Sequence, residues 1–418
     1  MWPDRRILDL FGIELPILLA PMAGPVLSSL AVAVGRAGGL AALPCALLSP
    51  EQAKAEFQAI RLGTNGPVNL NFFCHTPPSV DTAKEAVWRQ RLRPYYLELG
   101  VDPEGPIPVS NRTPFDETLC RMVEEYRPEV VSFHFGMPEK TFVDRIKAAG
   151  AKVISSATTV REAIWLEQRG CDAIIAQGAE AGGHRGVFLG DYDVASQVGT
   201  FALVPQVVDA VSVPVIAAGG ITDARGIVAA LALGASAVQI GTAYLFCPEA
   251  KVSPPHRAAL KAAWDDDTVM TRVLTGRPAR SIVNRVIREV GAMSDVAPAF
   301  PLAGGALMPL REDRACWLRR LHAAVVGTGN AARSRDAGHG TYRKAGGGCA
   351  GIAWQARPRL AAAEPPTKIP LPAGRQRDFS RAVPVSTISA SRRRLRSPSR
   401  RRPRRDCHPA PRRHRSRR

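Results

Sequence analysis

The sequence predicts a (β/α)8 TIM barrel over about residues 1–310, with a small excursion or lid lobe and a basic C-terminal tail. Three observations predict it. Short apolar runs recur eight times and alternate with longer helix-like segments. The runs are apolar throughout instead of alternating in and out, as expected for parallel strands buried on both faces. The last two runs end in glycine-rich turns, at the strand ends where a barrel of this class keeps its active site.

The strand candidates are Ile17–Met22, Leu40–Cys45, Pro67–Phe73, Val130–Gly136, Lys152–Thr158, Ala173–Gly178, Pro214–Gly220 and Ala237–Thr242. Between them lie helix candidates such as Pro50–Arg61, Pro138–Ala149, Val160–Arg169, Thr222–Leu233 and Pro254–Trp264. Eight strand–helix repeats argue for a closed barrel; a doubly wound open sheet is the architectural alternative. The Arg-, Tyr- and Pro-rich stretch Trp88–Pro114 reads as an excursion from the barrel. Part of Ala243–Ile287 reads as a small second lobe over the site.

Composition narrows the class. With 45% hydrophobic residues the chain has material for a sizeable core. Its net charge of +19 is confined to the end: residues 315–418 hold 26 Lys+Arg against 4 Asp+Glu, leaving 30 basic and 33 acidic residues before them. A slightly acidic body, and a tail without interleaved aromatics, argue against a specific nucleic-acid binder. From about Cys316 periodicity fades into Gly, Arg, Pro and Ser, a composition expected to be disordered. Eight scattered cysteines without a CxxC pair argue against zinc and against a disulfide framework. No apolar run approaches the ~20 residues of a membrane span, so the expectation is a soluble, cytoplasmic protein with reduced thiols, its oligomeric state left open.

The chemistry is expected at the strand ends. PVIAAGG places Gly219 and Gly220 before a helix start near Thr222 and Asp223, and AVQIGTAYL repeats the design with Gly241 and Thr242. Such glycines let backbone N–H groups approach a phosphate, and a following helix N-terminus favours its charge. Either loop alone is equally well a tight strand-to-helix turn; two at consecutive strand ends favour phosphate. In AIIAQGAEAGGHRG, Gln177 ends a buried strand and Gly178, Gly182 and Gly183 surround His184. The pattern suits a backbone passing close to a flat ligand, with a histidine whose ordinary pKa suits proton transfer. The bland alternative is a structural histidine in a glycine-rich turn. Met22 in APMAG can pack on a flat ring or serve as a core methionine. Asn69 can contact a ligand or cap its own turn. His134, ending the fourth strand, reads as a polar contact to substrate or, nearly as well, as a satisfied core histidine.

Together these segments resemble the nitronate monooxygenases (2-nitropropane dioxygenases). The matching stretches are APMAG at 20–24, VN at 68–69, SFHFGMP at 132–138, AQGAEAGGHRG at 176–186, LVPQVVDAVSVPVIAAGGI at 203–221, LGASAVQIGTAYLFCPEA at 233–250 and TGRPARSIVN at 275–284. The resemblance covers about residues 7–310. It implies FMN as cofactor, bound by residues matching Asn69, Gln177, Gly182, Gly220, Gln239, Ile240, Gly241 and Thr242. It implies His184 as the base that deprotonates neutral nitroalkanes, and oxidation of alkyl nitronates by dioxygen to a carbonyl compound and nitrite. The FMN-dependent enoyl-acyl-carrier-protein reductases share similar EAGGH and GGI segments and are the nearest rival, which SFHFGMP disfavours. The family ends in a segment resembling SGDFTPLWSGQA, whereas this chain reads LRRLHAAVVGTGN from Leu318. Codons chosen to suit that stretch return the family segment when read one base later, which points to an out-of-frame translation.

Overall fold

The computed structural model describes residues 2–108, 112–190 and 192–312; the basic segment 316–418, with its expected disorder and frame change, lies outside the described residues. Eleven strands form among them: β1 (Ile17–Leu19), β2 (Ala41–Pro44), β3 (Val68–Phe73), β4 (Val130–His134), β5 (Lys152–Ala157), β6 (Ala173–Gln177), β7 (Gly183–His184), β8 (Val215–Ala218), β9 (Ala237–Ile240), β10 (Thr268–Thr271) and β11 (Ala279–Ile282). Eight of them fall inside the eight apolar runs. These pair in parallel in the order β1-β9-β8-β6-β5-β4-β3-β2. A parallel bridge between Leu18 and Leu40 brings β1 back to the residue before β2 and closes the barrel.

Side-chain alternation sorts each strand into two cores. Inward-facing Leu18, Val130, Ile154, Ala173, Ile216 and Ala237 cluster near the strands' N-terminal ends with Ile7, Leu8 and Phe11 of the first helix, Arg6–Phe11, which plugs that end. Outward-facing Leu70, Phe72, Val131, Phe133, Ile174 and Val238 meet the surrounding helices. The apolar runs are continuous because both faces of every strand are buried.

The helices start where the sequence signals them. Ser49 caps Pro50–Gly63 through a reciprocal capping box, its hydroxyl accepting from the Gln52 N–H at 3.2 Å and its own N–H donating to Gln52 Oε1 at 2.9 Å. Thr159 and Asp223 cap Val160–Gln168 and Ala224–Ala232 by side-chain acceptance alone, from the Glu162 N–H and from the Arg225 and Gly226 N–H groups.

The lobe is larger than the expected 243–287. Helix Thr82–Leu99, inside and before the predicted excursion, packs Trp88, Leu92, Tyr95 and Tyr96 against Leu274, Ile287, Ala303 and Leu310 as a second apolar core. The indole N–H of Trp88 donates to the Ala303 carbonyl at 3.1 Å. The lobe also carries an antiparallel sheet, β10-β11-β7, whose third strand is lent by the barrel loop after β6. Among the described residues no helix is long and apolar enough to cross a membrane.

Candidate active site

The strands' C-terminal ends and the lobe enclose a cavity of about 600 Å³, within the usual ~300–1,000 Å³ of small-molecule sites. Of the twelve residues expected at the site, ten line it: Met22, His134, Gln177, Gly182, His184, Gly219, Gly220, Gln239, Gly241 and Thr242. Asn69 and Ile240 do not. Asn69 sits one inward pair deeper in β3, level with Val130, and Asn71 takes the lining position instead. Ile240 follows the inward Gln239 on β9 and so faces the outer core.

His184 is held from two sides. Its backbone is part of β7, paired with Ala279 of β11. Its carbonyl accepts from Gln177 Nε2 at 3.0 Å and lies 3.1 Å from His134 Nε2. A carbonyl can only accept, so His134 carries its proton on Nε2, and its Nδ1 then accepts from the Ser156 hydroxyl at 2.6 Å. Both ring nitrogens of His134 are thereby engaged, and burial pushes its pKa down to about 3. The satisfied-core reading of His134 is the one this geometry matches, with its ring acting as a brace under His184. The same holds for Gln177, whose Oε1 accepts from the Gly186 N–H at 2.8 Å. One amide N–H and the amide oxygen thus hold the loop carrying His184, and the second N–H makes no hydrogen bond among the described residues.

The His184 ring reaches into the lobe, with Nε2 2.9 Å from Thr275 Oγ1. Phe300 and Phe135 meet it edge-on, with centroids at 5.2 and 5.8 Å. Burial first, then the positive charge of Arg112, hold its pKa well below 6.5. Nearby His75 is pushed down to about 4, again chiefly by burial. The result is a cavity wall of neutral imidazoles beside cationic guanidinium groups.

Two features mark where a ligand's polar groups fit. The side-chain carbonyl of Gln239, buried and lining the cavity, has no hydrogen-bond partner, a deficit that costs ~1–3 kcal/mol unless a donor arrives. The backbone N–H groups of Gly219 and Gly220 make no hydrogen bond among the described residues. Both glycines have positive φ, 121° and 68°, and a Cβ on Gly219 would lie 2.7 Å from Thr200 Oγ1. The helix after this loop is not an open anion site, because the Asp223 carboxylate already accepts from the Arg225 and Gly226 N–H groups. After Gly241 the chain enters a 3-10 turn, Thr242–Phe246, and not an α-helix. Any phosphate held here would rest on the loops themselves. Met22 lies against Gly241, its sulfur 3.6 Å from where a Cβ would stand.

The cavity also recruits Asn71, Arg112, Ser156 and Thr275, which the sequence reading did not single out. Asn71 was within reach of period-two reasoning, two residues from Asn69 on the same face. Arg112 and Thr275 come from the excursion and the lobe, where no local pattern points to the barrel mouth. Two further charged side chains hold the His184 loop. Arg185, almost fully buried, donates to the Gln177 and Gly178 carbonyls at 2.9 and 2.6 Å and to Gln197 Oε1 at 2.8 Å. Glu162 accepts from the N–H groups of Thr158, Phe188 and Leu189.

Comparison with known proteins agrees with this arrangement. A family model described as nitronate monooxygenase matches residues 4–338. A nitronate monooxygenase of Pseudomonas aeruginosa is 44% identical over 290 residues, covering 69% of this chain and 82% of that protein. A probable nitronate monooxygenase of Staphylococcus aureus is 36% identical over 315 residues, 75% of this chain and 88% of that one. Among solved structures, nitroalkane oxidase from Streptomyces ansochromogenes gives a TM-score of 0.70 at 37% identity, covering 78% of this chain and 92% of that one. FabK from Thermotoga maritima gives 0.60 at 29% identity, covering 79% and 91%. Family model, relatives and the nitroalkane oxidase structure agree across the barrel and its lobe, and this chain belongs to the nitronate monooxygenase family of oxidoreductase enzymes.

Proposed function

We propose that this chain binds a flavin, FMN, and uses it to oxidise alkyl nitronates with dioxygen to a carbonyl compound and nitrite, His184 acting as the base that lets neutral nitroalkanes enter the same reaction. The observation that carries the reading is one cavity joining a neutral, braced histidine to unspent hydrogen-bonding groups of opposite kinds. Gln239 offers a carbonyl without a donor, which suits the N–H of a flavin ring. Gly219 and Gly220 offer N–H groups without an acceptor, which suit a single phosphate. Gly182, Gly241 and Thr242 line the remaining wall, and Met22 offers a soft side chain to a flat ring.

When bound, the flavin supplies the electron acceptor and the route to dioxygen. The chain's own residues do the rest. His184, uncharged because burial disfavours its cationic form, can take the proton from the carbon beside a nitro group. His134 and Gln177 fix the carbonyl of His184, so its backbone cannot swing when the ring is protonated. Arg112, which lines the cavity and whose charge already acts on His184, favours the anion left behind. Phe135 and Phe300 pack edge-on against the ring and hold its plane.

The test is direct. Purified protein is acid-treated and the released flavin identified by chromatography, and nitrite is measured after adding propionate 3-nitronate in air without a reduced nicotinamide. FMN and prompt nitrite release are expected. FAD, or folded protein without flavin, would contradict the cofactor assignment. NADH-driven reduction of an enoyl thioester in place of nitrite release would assign the chain to the enoyl reductase chemistry instead.

A further inference from the structure

The lobe contributes one polar side chain to the histidine at the barrel mouth. We infer that Thr275 is a positioning residue that sets the tautomer of His184, keeping the proton on Nε2 and leaving Nδ1 as the basic nitrogen. The inference rests on the reading of His184 as the base.

Thr275 Oγ1 lies 3.3 Å from the Arg277 carbonyl and 2.9 Å from His184 Nε2. The carbonyl can only accept, so the two contacts coexist only when the single hydroxyl proton goes to it and a lone pair is left for the imidazole. Nε2 must then be the protonated nitrogen. Nδ1 makes no hydrogen bond among the described residues, and its ring lines the cavity.

The threonine is itself immobilised. Gly276, with φ of 93°, abuts the segment opposite so closely that a Cβ would lie 2.3 Å from the Pro298 carbonyl oxygen and 2.5 Å from Phe300 N. The neighbouring Pro278 carbonyl accepts from the Arg185 N–H at 2.9 Å, tying this turn to the His184 loop. The Phe300 ring, 5.2 Å from the His184 ring at 75°, fixes the plane in which the imidazole offers Nε2 to the hydroxyl. Tautomer, ring plane and hydroxyl direction are thus set by one short lobe segment.

The experiment compares wild type, Thr275→Val and Thr275→Ser as flavin-loaded proteins, with 15N-labelled histidine and His184→Asn to assign the signal. Two-bond 1H–15N spectra read the tautomer, and steady-state kinetics compare nitroethane with preformed ethyl nitronate. The wild type should show the Nε2–H pattern. Thr275→Val should show mixed tautomers and lose about tenfold in kcat/KM on nitroethane, the rate equivalent of one hydrogen bond. Ethyl nitronate, which needs no proton removed, should lose several-fold less than nitroethane, and Thr275→Ser should restore both readouts. An Nδ1–H pattern in the wild type, or a Val variant keeping both tautomer and rate, overturns the inference. If Thr275→Val does not fold, the wild-type and Ser spectra still decide it. A wild type without nitroalkane turnover would sink the proposed function while leaving the spectrum to judge the hydrogen bond.

Discussion

Two histidines buried neutral beside the cavity should make this barrel acid-sensitive in a definite window. His134 has its pKa pushed down to about 3 and His184 is also held well below 6.5, in both cases mainly by burial. In the unfolded chain each returns to about 6.5 and takes up a proton as the pH falls, while the folded chain does not. The unfolded state therefore binds more protons below pH 6.5, and stability is lost on acidification from there towards the folded pKa. Integrated from pH 6 to pH 5, His134 alone costs a little over ~1 kcal/mol, and His184 acts in the same direction. Paired carboxylates lose most of their contribution at lower pH, and His75 acts in the same window, so the contribution of one histidine is isolated by comparison with a variant that lacks it. Urea unfolding at pH 6 and pH 5, for wild type and His134→Gln, reads the effect as a difference of midpoint shifts. With an m-value of ~3 kcal/mol/M, removing one histidine should reduce the pH-driven shift by about 0.4 M. If the two proteins' midpoints move equally with pH, His134 is not the buried neutral group described here.

Three further outcomes follow from the site. His184→Asn should lower kcat/KM on neutral nitroalkanes by ~10²–10⁴-fold while turnover of preformed nitronates largely survives; equal losses on both would remove His184 from the base role. Because its pKa is depressed, the acid limb of kcat/KM for nitroethane should lie below pH 6.5, and a midpoint at or above that value would count against the neutral, buried ring. Gly178→Ala should destabilise by about 3 kcal/mol in thermal or urea unfolding, since its Cβ would stand 1.9 Å from Thr200 Oγ1 and 2.4 Å from Thr200 N. Pairing it with Thr200→Ala should fail to rescue because the backbone collision remains; full rescue would show that only the hydroxyl was in the way.

Much of the barrel was legible because burial on both faces leaves an apolar run that polar loops interrupt. The same property blurs depth: Asn69 and Asn71 share a face, and nothing in VNLNFF says which reaches the cavity. Ile240 was assigned to a ligand by its neighbours in a family motif, although alternation beside Gln239 turns it to the outer core. Gln177 was placed at the right strand end, yet its amide serves the protein's own backbone, a distinction that depends on the path of residues 182–186. Thr275 and Arg112 were invisible for a different reason. Each is brought to the barrel mouth by packing between the Trp88 helix and the Leu274–Leu310 region, contacts made across nearly two hundred residues.

The two-residue strand β7 has a consequence for the order in which the molecule is built. Its partners, Ala279 and Arg280, are synthesised about 95 residues after Gly183 and His184, whereas β3, β4, β5 and β6 each pair with the strand made just before them. Closing the longer loop carries a somewhat larger entropic cost, which the contacts of the lobe offset. The β3–β6 wall can therefore consolidate first while the segment after Gln177 stays exchangeable with solvent, and the imidazole is set in place in a later step of folding. A refolding chain followed by pulsed hydrogen exchange should gain protection in β3–β6 ahead of Gly183, His184 and β11, and flavin capture should track the later phase.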